Sequence, residues 1–290
     1  MLGSDLLTAI VTMSFACLVL GVLAATLSSR TKGQIPMLGI ALSSLAMIYF
    51  LFYGAGQLLW AKFVPHSAAI IYTNVACLFA AVAAGCAWQL PDTPRWRRVL
   101  FASLLAASSF AIILWPMLSI AIRPPEPGHN YWKDGVAMQT SWANCSPAAA
   151  ATLLNAEGIA VSEADMVPLC LTDSDGTPTL GLYRGIKLVA EANGRRAEVI
   201  DATLQQLLDE NAWPALLAVE LPYGTEDRRY ADQWGWIPGM GHSVVVLGRA
   251  PGGGSSLVIG DPSRGIELWG EDDLRVLWHG NGIRLSHSNE

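Results

Sequence analysis

The chain has 290 residues, 52% of them hydrophobic and only 14% charged, with a net charge of −6. A soluble globular protein carries nearer a quarter charged residues, so that ordinary class is excluded for the chain as a whole. Only Asp5 and Asp92 of the 24 acids precede residue 124, against seven of the 18 Lys and Arg, which leaves residues 124–290 with 22 acids and 11 bases. An acidic second half excludes a nucleic-acid surface, which needs clustered bases, and so sharp a break marks a domain boundary near residue 123.

Four apolar runs fill the first part, at residues 6–27, 35–60, 68–90 and 99–122, and none contains a charge. Each is long enough to span a hydrocarbon core, which takes about 20 helical residues. A bilayer cannot hydrogen-bond open backbone, so the runs are predicted as helices. The leader MLGSDLL carries an acid and no base, against a cleaved signal peptide. Residues 1–123 are expected as a transmembrane region with the lipid bilayer as partner. The loop SSRTKGQ holds two bases and PDTPRWRR three, against Lys62 alone in the second loop. The excess of Lys and Arg on the cytoplasmic side then puts both termini, and the second half, outside. Asn74, Gln57 and His66 read as packing or interface groups. With no charge in the spans, a transport pathway is disfavoured.

RPPEPGHN, residues 123–130, cannot continue a helix. Residues 124–132 are expected as a linker, a spacer before a compact domain at 133–290. In that domain Pro147 sits near the start of an Ala- and Leu-rich helix at 146–157. Ser162 caps a short helix at 162–170. Helical spacing at 180–193 stops at Gly194. A further helix is expected at 203–210, and strands at 197–200, 214–220, 243–248 and 257–261, the last two joined by APGGGSS. A helix-rich half before a strand-rich half predicts an α+β domain.

Cys17, Cys77 and Cys86 lie in apolar runs and read as small hydrophobes. Cys145 is different, because it stands at the start of the Ala-rich helix. Unsatisfied N–H groups and the helix dipole there favour a thiolate, the nucleophilic form. Acyl transfer also needs donors for a developing oxyanion; the Cys145 N–H is one and the Gln139 side-chain amide a second. His242 opens the apolar strand SVVVLG, and Asp261 ends LVIGD. Folding the two strands about the middle of their loop sets Val245 opposite Val258 and His242 opposite Asp261. Cross-strand partners have Cβ atoms about 5 Å apart, close enough for a carboxylate to fix the imidazole tautomer.

The strings QTSWANCSPAAAATLL, GHSVVVLG and VIGDPSRG resemble the bacteriocin-processing, double-glycine peptidases, a branch of the papain-like cysteine peptidases. DGTPTLGLYRGIKLVAEANG and DATLQQLLDENAWPALLAVE resemble that family's middle helix and the stretch before its histidine strand, so the likeness covers residues 133–285. It implies a papain-like α+β peptidase domain, with Cys145 as nucleophile, His242 as general base and acid, Asp261 as orienter and Gln139 as oxyanion-hole donor. It further implies a peptide or protein substrate near a bacterial inner or plasma membrane. The sequence departs from the family at Asn144-Cys145-Ser146, where Asp-Cys-Gly is common, and the peptidase follows the apolar runs instead of preceding them. No GxxxxGK[ST] phosphate loop occurs, so no nucleotide is expected and the double-glycine leader specificity is not implied. No close His/Cys/Asp cluster has metal-ligand spacing, and no cofactor is expected. The insert at 223–240, with Trp234 and Trp236, either lines the cleft or packs as core. Other acyl transfer, such as amidase or transglutaminase chemistry, stays open beside proteolysis. So does a silent, membrane-tethered binding domain, to which a Cys145–Cys170 disulfide would lead.

Overall fold

The computed structural model describes residues 3–31, 34–251 and 256–287. Two compact units form, residues 1–60 with 64–122 and residues 61–63 with 123–290. Up to Ile122 the chain runs α1 (Ser4–Ser29), α2 (Ile35–Tyr53), α3 (Trp60–Phe63), α4 (Ala69–Tyr72), α5 (Ala76–Trp88) and α6 (Arg95–Ile122), and all of these but Ala61–Phe63 belong to the first unit. Four stretches in it are long and apolar enough to cross a membrane: Ser4–Ser29, Ile35–Tyr53, Ala69–Trp88 and Arg95–Ile122. The second is shorter than the apolar run, because α2 stops at Gly54 and Gly56 turns the chain with φ +76°. The third is notched between α4 and α5, where Asn74 Nδ2 donates to Ile112 O at 3.4 Å. Lys32, one of the bases used to orient the first loop, lies outside the described residues.

α5 is the hub of this unit, with α1, α2 and α6 all packed on it. Its residues are mostly Ala, Gly and Cys, the small side chains that let helix backbones approach where lipid supplies no hydrophobic drive. At Gly85 the approach is closest. A Cβ there would meet Gly21 O of α1 at 2.2 Å.

The second unit runs β1 (Trp132–Lys133), β2 (Val136–Ala137), a 3₁₀ turn (Trp142–Asn144), α7 (Cys145–Ala156), α8 (Glu163–Leu169), α9 (Thr179–Ala192), β3 (Arg195–Asp201), α10 (Leu204–Glu210), β4 (Ala215–Glu220), α11 (Arg229–Asp232), β5 (Gly241–Arg249), β6 (Leu257–Asp261), β7 (Gly265–Trp269), α12 (Glu271–Leu277) and β8 (Trp278–His287). Six strands form an antiparallel sheet in the order β3-β8-β4-β5-β6-β7. This is the expected α+β layout, preceded by the four apolar helices. α7 lies against β5, α8 and α9. Its Ala148–Ala151 run is wholly buried, which side chains of one carbon allow. The Ser162 cap predicted for α8 is present as a capping box with Asp165; in the same way Thr203 and Gln206 cap α10. Ile200, Leu207, Leu217, Val219, Val244, Val246, Leu274 and Trp278 build a core on the sheet face that α10 and α12 cover.

The Pro-rich segment is not the free spacer that its composition suggested. Arg123 pairs with Asp173 at 2.6 Å and also with Asp175. Glu126 O accepts from Asn144 Nδ2 at 3.3 Å. Gly128 lies so near α8 that a Cβ would meet Ala164 at 2.7 Å. Proline denies this segment a helix, and backbone and side-chain groups of the domain satisfy its backbone instead: Ser174 N, Asn144 Nδ2 and Ala164 N donate to the carbonyls of Arg123, Glu126 and His129, and His129 N donates to Glu163.

The contact at Gly85 predicts that Gly85→Ala lowers the melting temperature of the detergent-solubilised protein, since overpacking costs about 1–3 kcal/mol. A melting temperature equal to that of the wild type would refute the α1–α5 packing described here.

Candidate active site

Each of the four sequence-predicted residues lines one cleft of about 920 Å³: Gln139, Cys145, His242 and Asp261. Cys145 is the first residue of α7 and lines the cleft together with His242, whose imidazole is close enough to lower its thiol. His242 Nε2 lies 3.1 Å from Asp261 Oδ1. With Asp261 ionised, Nε2–H donates to it, and Nδ1 is the nitrogen left for the sulfur.

The route by which His242 and Asp261 meet differs from the expected one. β5 pairs with β6 as Val245↔Gly260 and Val246↔Ile259, then shifts at Leu247 to Gly248↔Val258. Val245 therefore does not face Val258. One step along the same ladder puts Asp261 opposite Val244, and His242 reaches it diagonally. Diagonal neighbours on one face lie about 7–8 Å apart at Cα, within reach of an imidazole. The miss arises at the loop end, where Arg249 pairs with Leu257, three residues from the partner that a count from the loop midpoint gives; the bulge at Leu247 then takes one of the three back. The middle of that loop, residues 252–255, lies outside the described residues.

The electrostatics form a chain. Burial alone would raise the Asp261 carboxyl, but hydrogen bonds from His242 and Ser263, together with the histidine's charge, hold it below the usual carboxylate range. Ser263 donates to the same Oδ1 through its N at 2.7 Å and its Oγ at 2.6 Å. Burial would lower His242, yet its bonds to Asp261 and Cys145 push it up to about 10. Burial would raise the Cys145 thiol, and the His242 hydrogen bond and charge, with help from Ser146, lower it below the ordinary thiol value. Both the lowered thiol and the raised imidazole shift the pair towards a thiolate beside an imidazolium, with the Asp261 carboxyl held low.

Several contacts that matter here were not read from the sequence. Ser263 has a signal in hindsight, because Asp-Pro-Ser suits an Asx turn in which the carboxylate caps the amide two residues on. Ser146 Oγ and Ser243 Oγ are 2.9 Å apart. They tie α7 to β5 one residue beyond Cys145 and one beyond His242. Trp236 stands edge-on to the His242 ring, with centroids 5.5 Å apart, and itself rests on Trp269 at 5.9 Å. The 223–240 insert thus does both things weighed for it. Trp234 packs against Trp269, while Trp236, Ile237 and Met240 line the cleft.

Gln139 is held at its backbone, with its N donating to Pro262 O at 2.9 Å. Its side-chain Oε1 is buried without a partner. Cys145 and Cys170 are both free thiols. Cys170 packs under α9 against Gly185, where burial pushes its thiol up to about 12. Among the described residues no group of His, Cys, Asp and Glu is arranged to hold a metal ion.

No family model matches the sequence, and no curated protein matches it. Among solved structures, the chain is similar to the peptidase domain of Streptococcus ComA, a bifunctional ABC transporter of a quorum-sensing pathway. That likeness has 21% identity and a TM-score of 0.41, and covers 53% of this chain and 98% of that one. It is also similar to a double-glycine-motif protease from an AMS/PCAT transporter, solved with its leader peptide. There the identity is 18% and the TM-score 0.41, over 57% of this chain and 99% of that one. The peptidase domain of Streptococcus mutans ComA matches at 23% identity and a TM-score of 0.35, over 52% of this chain and 98% of that one.

Proposed function

We propose that the chain is a membrane-anchored cysteine peptidase, with the unit after residue 123 cleaving peptide bonds of a peptide or protein near a membrane surface. The observation that carries the reading is the meeting of Cys145, at the start of a helix, with the hydrogen-bonded His242–Asp261 pair in one cleft. The anchor rests on the four apolar stretches. An extracytoplasmic placement of the peptidase unit rests on the Lys and Arg of the loops and belongs to the same proposal.

In this reading the Cys145 thiolate attacks the scissile carbonyl carbon and a C–S bond forms. The negative charge moves to the carbonyl oxygen, where the Cys145 N–H and the Gln139 amide donate to it. Collapse breaks the C–N bond, and the leaving amine takes the proton from the His242 imidazolium. Neutral His242 then removes a proton from water, which attacks the thioester. The second tetrahedral species expels the thiolate and leaves His242 protonated, as at the start. Asp261 stays ionised and holds the ring with Nδ1 towards the sulfur. Trp236 shields the His242–Asp261 bond from water, where it would weaken.

The pH dependence follows from the signs of the two shifts. The Cys145 thiol is lowered, so the thiolate persists to a more acidic pH than an ordinary thiol of about 8.5. His242 is raised to about 10, so the imidazolium persists up to that pH. Alkylation of Cys145 by iodoacetamide is therefore expected to be fast at neutral pH, with its acidic limb well below that of a free thiol. In His242→Ala that limb should move up to the free-thiol range or beyond, because the burial remains and the cation is gone. Indistinguishable profiles for the two proteins would mean that no ion pair exists.

Asp261→Asn keeps an acceptor for Nε2–H, whereas Asp261→Ala keeps none. Initial rates of iodoacetamide labelling should rank wild type, then Asn, then Ala; equal rates in all three would remove Asp261 from the mechanism. Chromatography of products from a peptide library separates proteolysis from other acyl transfer. Shortened chains are expected, and released ammonia with intact chains would sink the peptidase reading.

A further inference from the structure

The most deeply buried carboxylate in the second unit takes no part in the mechanism above. Glu163, the first residue of α8, is 1% exposed. Its Oε1 accepts from Thr140 N at 2.7 Å, and its Oε2 accepts from Thr140 Oγ1 at 2.6 Å and from His129 N at 3.0 Å. His129 Nδ1 stands 3.1 Å from Oε2 without aligning as a hydrogen bond. A buried ion is costly unless its lone pairs are filled, and here three donors fill them. Two come from Thr140, the residue after Gln139, and one comes from the segment that runs in from Ile122.

The loop that presents Gln139 has three backbone pins. Met138 N donates to Tyr131 O at 3.0 Å and Gln139 N to Pro262 O at 2.9 Å, and Thr140 N donates to Glu163. The second pin fixes the loop to the turn that follows Asp261. Only the third uses a side chain, and only that one reaches the Pro-rich segment. The carboxylate also matches its task chemically. Ionised Glu only accepts, and every neighbour here donates. A glutamine of the same size would turn N–H groups against N–H and O–H groups at one end or the other.

We propose that Glu163 is a positioning residue for the oxyanion donor: by holding Thr140 it fixes the backbone on which Gln139 is carried, and by holding His129 it makes that setting depend on the docked 123–130 segment. This rests on Cys145 acting as nucleophile and Gln139 as oxyanion donor. The neighbouring substitution Thr140→Val removes the 2.6 Å bond alone and leaves the amide bond in place.

Two reagents on the full-length, detergent-solubilised protein separate this role from general support. Methyl methanethiosulfonate reacts with the thiolate without forming an oxyanion, whereas p-nitrophenyl acetate must pass through one. Glu163→Gln is expected to keep the wild-type rate with the first reagent. Its turnover of the second should fall roughly tenfold or more, within the range for a disturbed oxyanion donor, with kcat lowered and KM unchanged. Glu163→Asp, which keeps the charge, should recover part of that loss. Parallel loss with both reagents would reduce Glu163 to a structural carboxylate, and no loss with either would overturn the proposal outright. If Glu163→Gln does not accumulate folded, Thr140→Val must show the same split in smaller measure, and its absence there overturns the proposal equally. A wild type that reacts no faster than a free thiol with methyl methanethiosulfonate would instead fail the peptidase reading itself.

Discussion

A thiol, an imidazole and a carboxyl share one nearly dry place, and no charge on any of them is stable there alone. Each charged form loses hydration on folding. Each regains part of it only through the other two, which is why burial and partner pull every one of the three pKa values in opposite directions. The partners prevail because the geometry is tight. Asp261 is 3% exposed and takes three donors on one oxygen. Removing one member of a buried pair costs about 3–5 kcal/mol, because the survivor's charge is left uncompensated. The site is therefore built as a unit, and the rest of the domain serves to bring a helix start and two strand ends to one point.

That convergence depends on close packing between α7 and β5. An Ala run with no exposed surface lets the helix axis come near the sheet. The Ser146–Ser243 hydroxyl pair then locks the two elements beside their reactive ends. Where the common pattern of similar peptidases has glycine after the nucleophile, this chain has Ser146, and its hydroxyl is placed to bond across to β5. The departure is thus absorbed as a cross-link and as a donor near the sulfur. Trp236 completes the enclosure on the solvent side of His242, and Trp269 behind it keeps the indole from moving away.

The four apolar helices, the capped helices α8 and α10, and the strands that carry His242 and Asp261 were legible because each rests on local chemistry. Length without charge, a Ser or Thr cap and a continuous apolar run can be read one segment at a time. β7, α12 and β8 were not legible. β8 holds a central place in the sheet, yet WHGNGIRLSH carries two glycines and no clean alternation. Gly282 is needed there because a Cβ would meet Leu216 O at 2.5 Å, a demand set by a distant neighbour. The register of β5 on β6 failed for a related reason, since both strands are nearly all apolar and nothing in them marks where the ladder starts, at Arg249↔Leu257. Cys145, His242, Asp261 and Gln139 were picked out by their local settings and fall in one cleft, whereas the contacts of Ser243 and Glu163 arise only in the tertiary structure.

The segment after the last apolar helix carries the final step. From Arg123 onward the backbone is fastened to the domain at intervals, and the fastenings fall on the catalytic apparatus. Arg123 grips Asp173 and Asp175, and Asp175 lines the cleft. Glu126 O accepts from Asn144, the residue before the nucleophile. His129 meets Glu163, which in turn holds the residue after Gln139. A flexible tether would have no reason to end on these three places. Undocking the segment would take a partner from all three places, and the buried Glu163 would lose one of its donors, at a cost of about 1–3 kcal/mol.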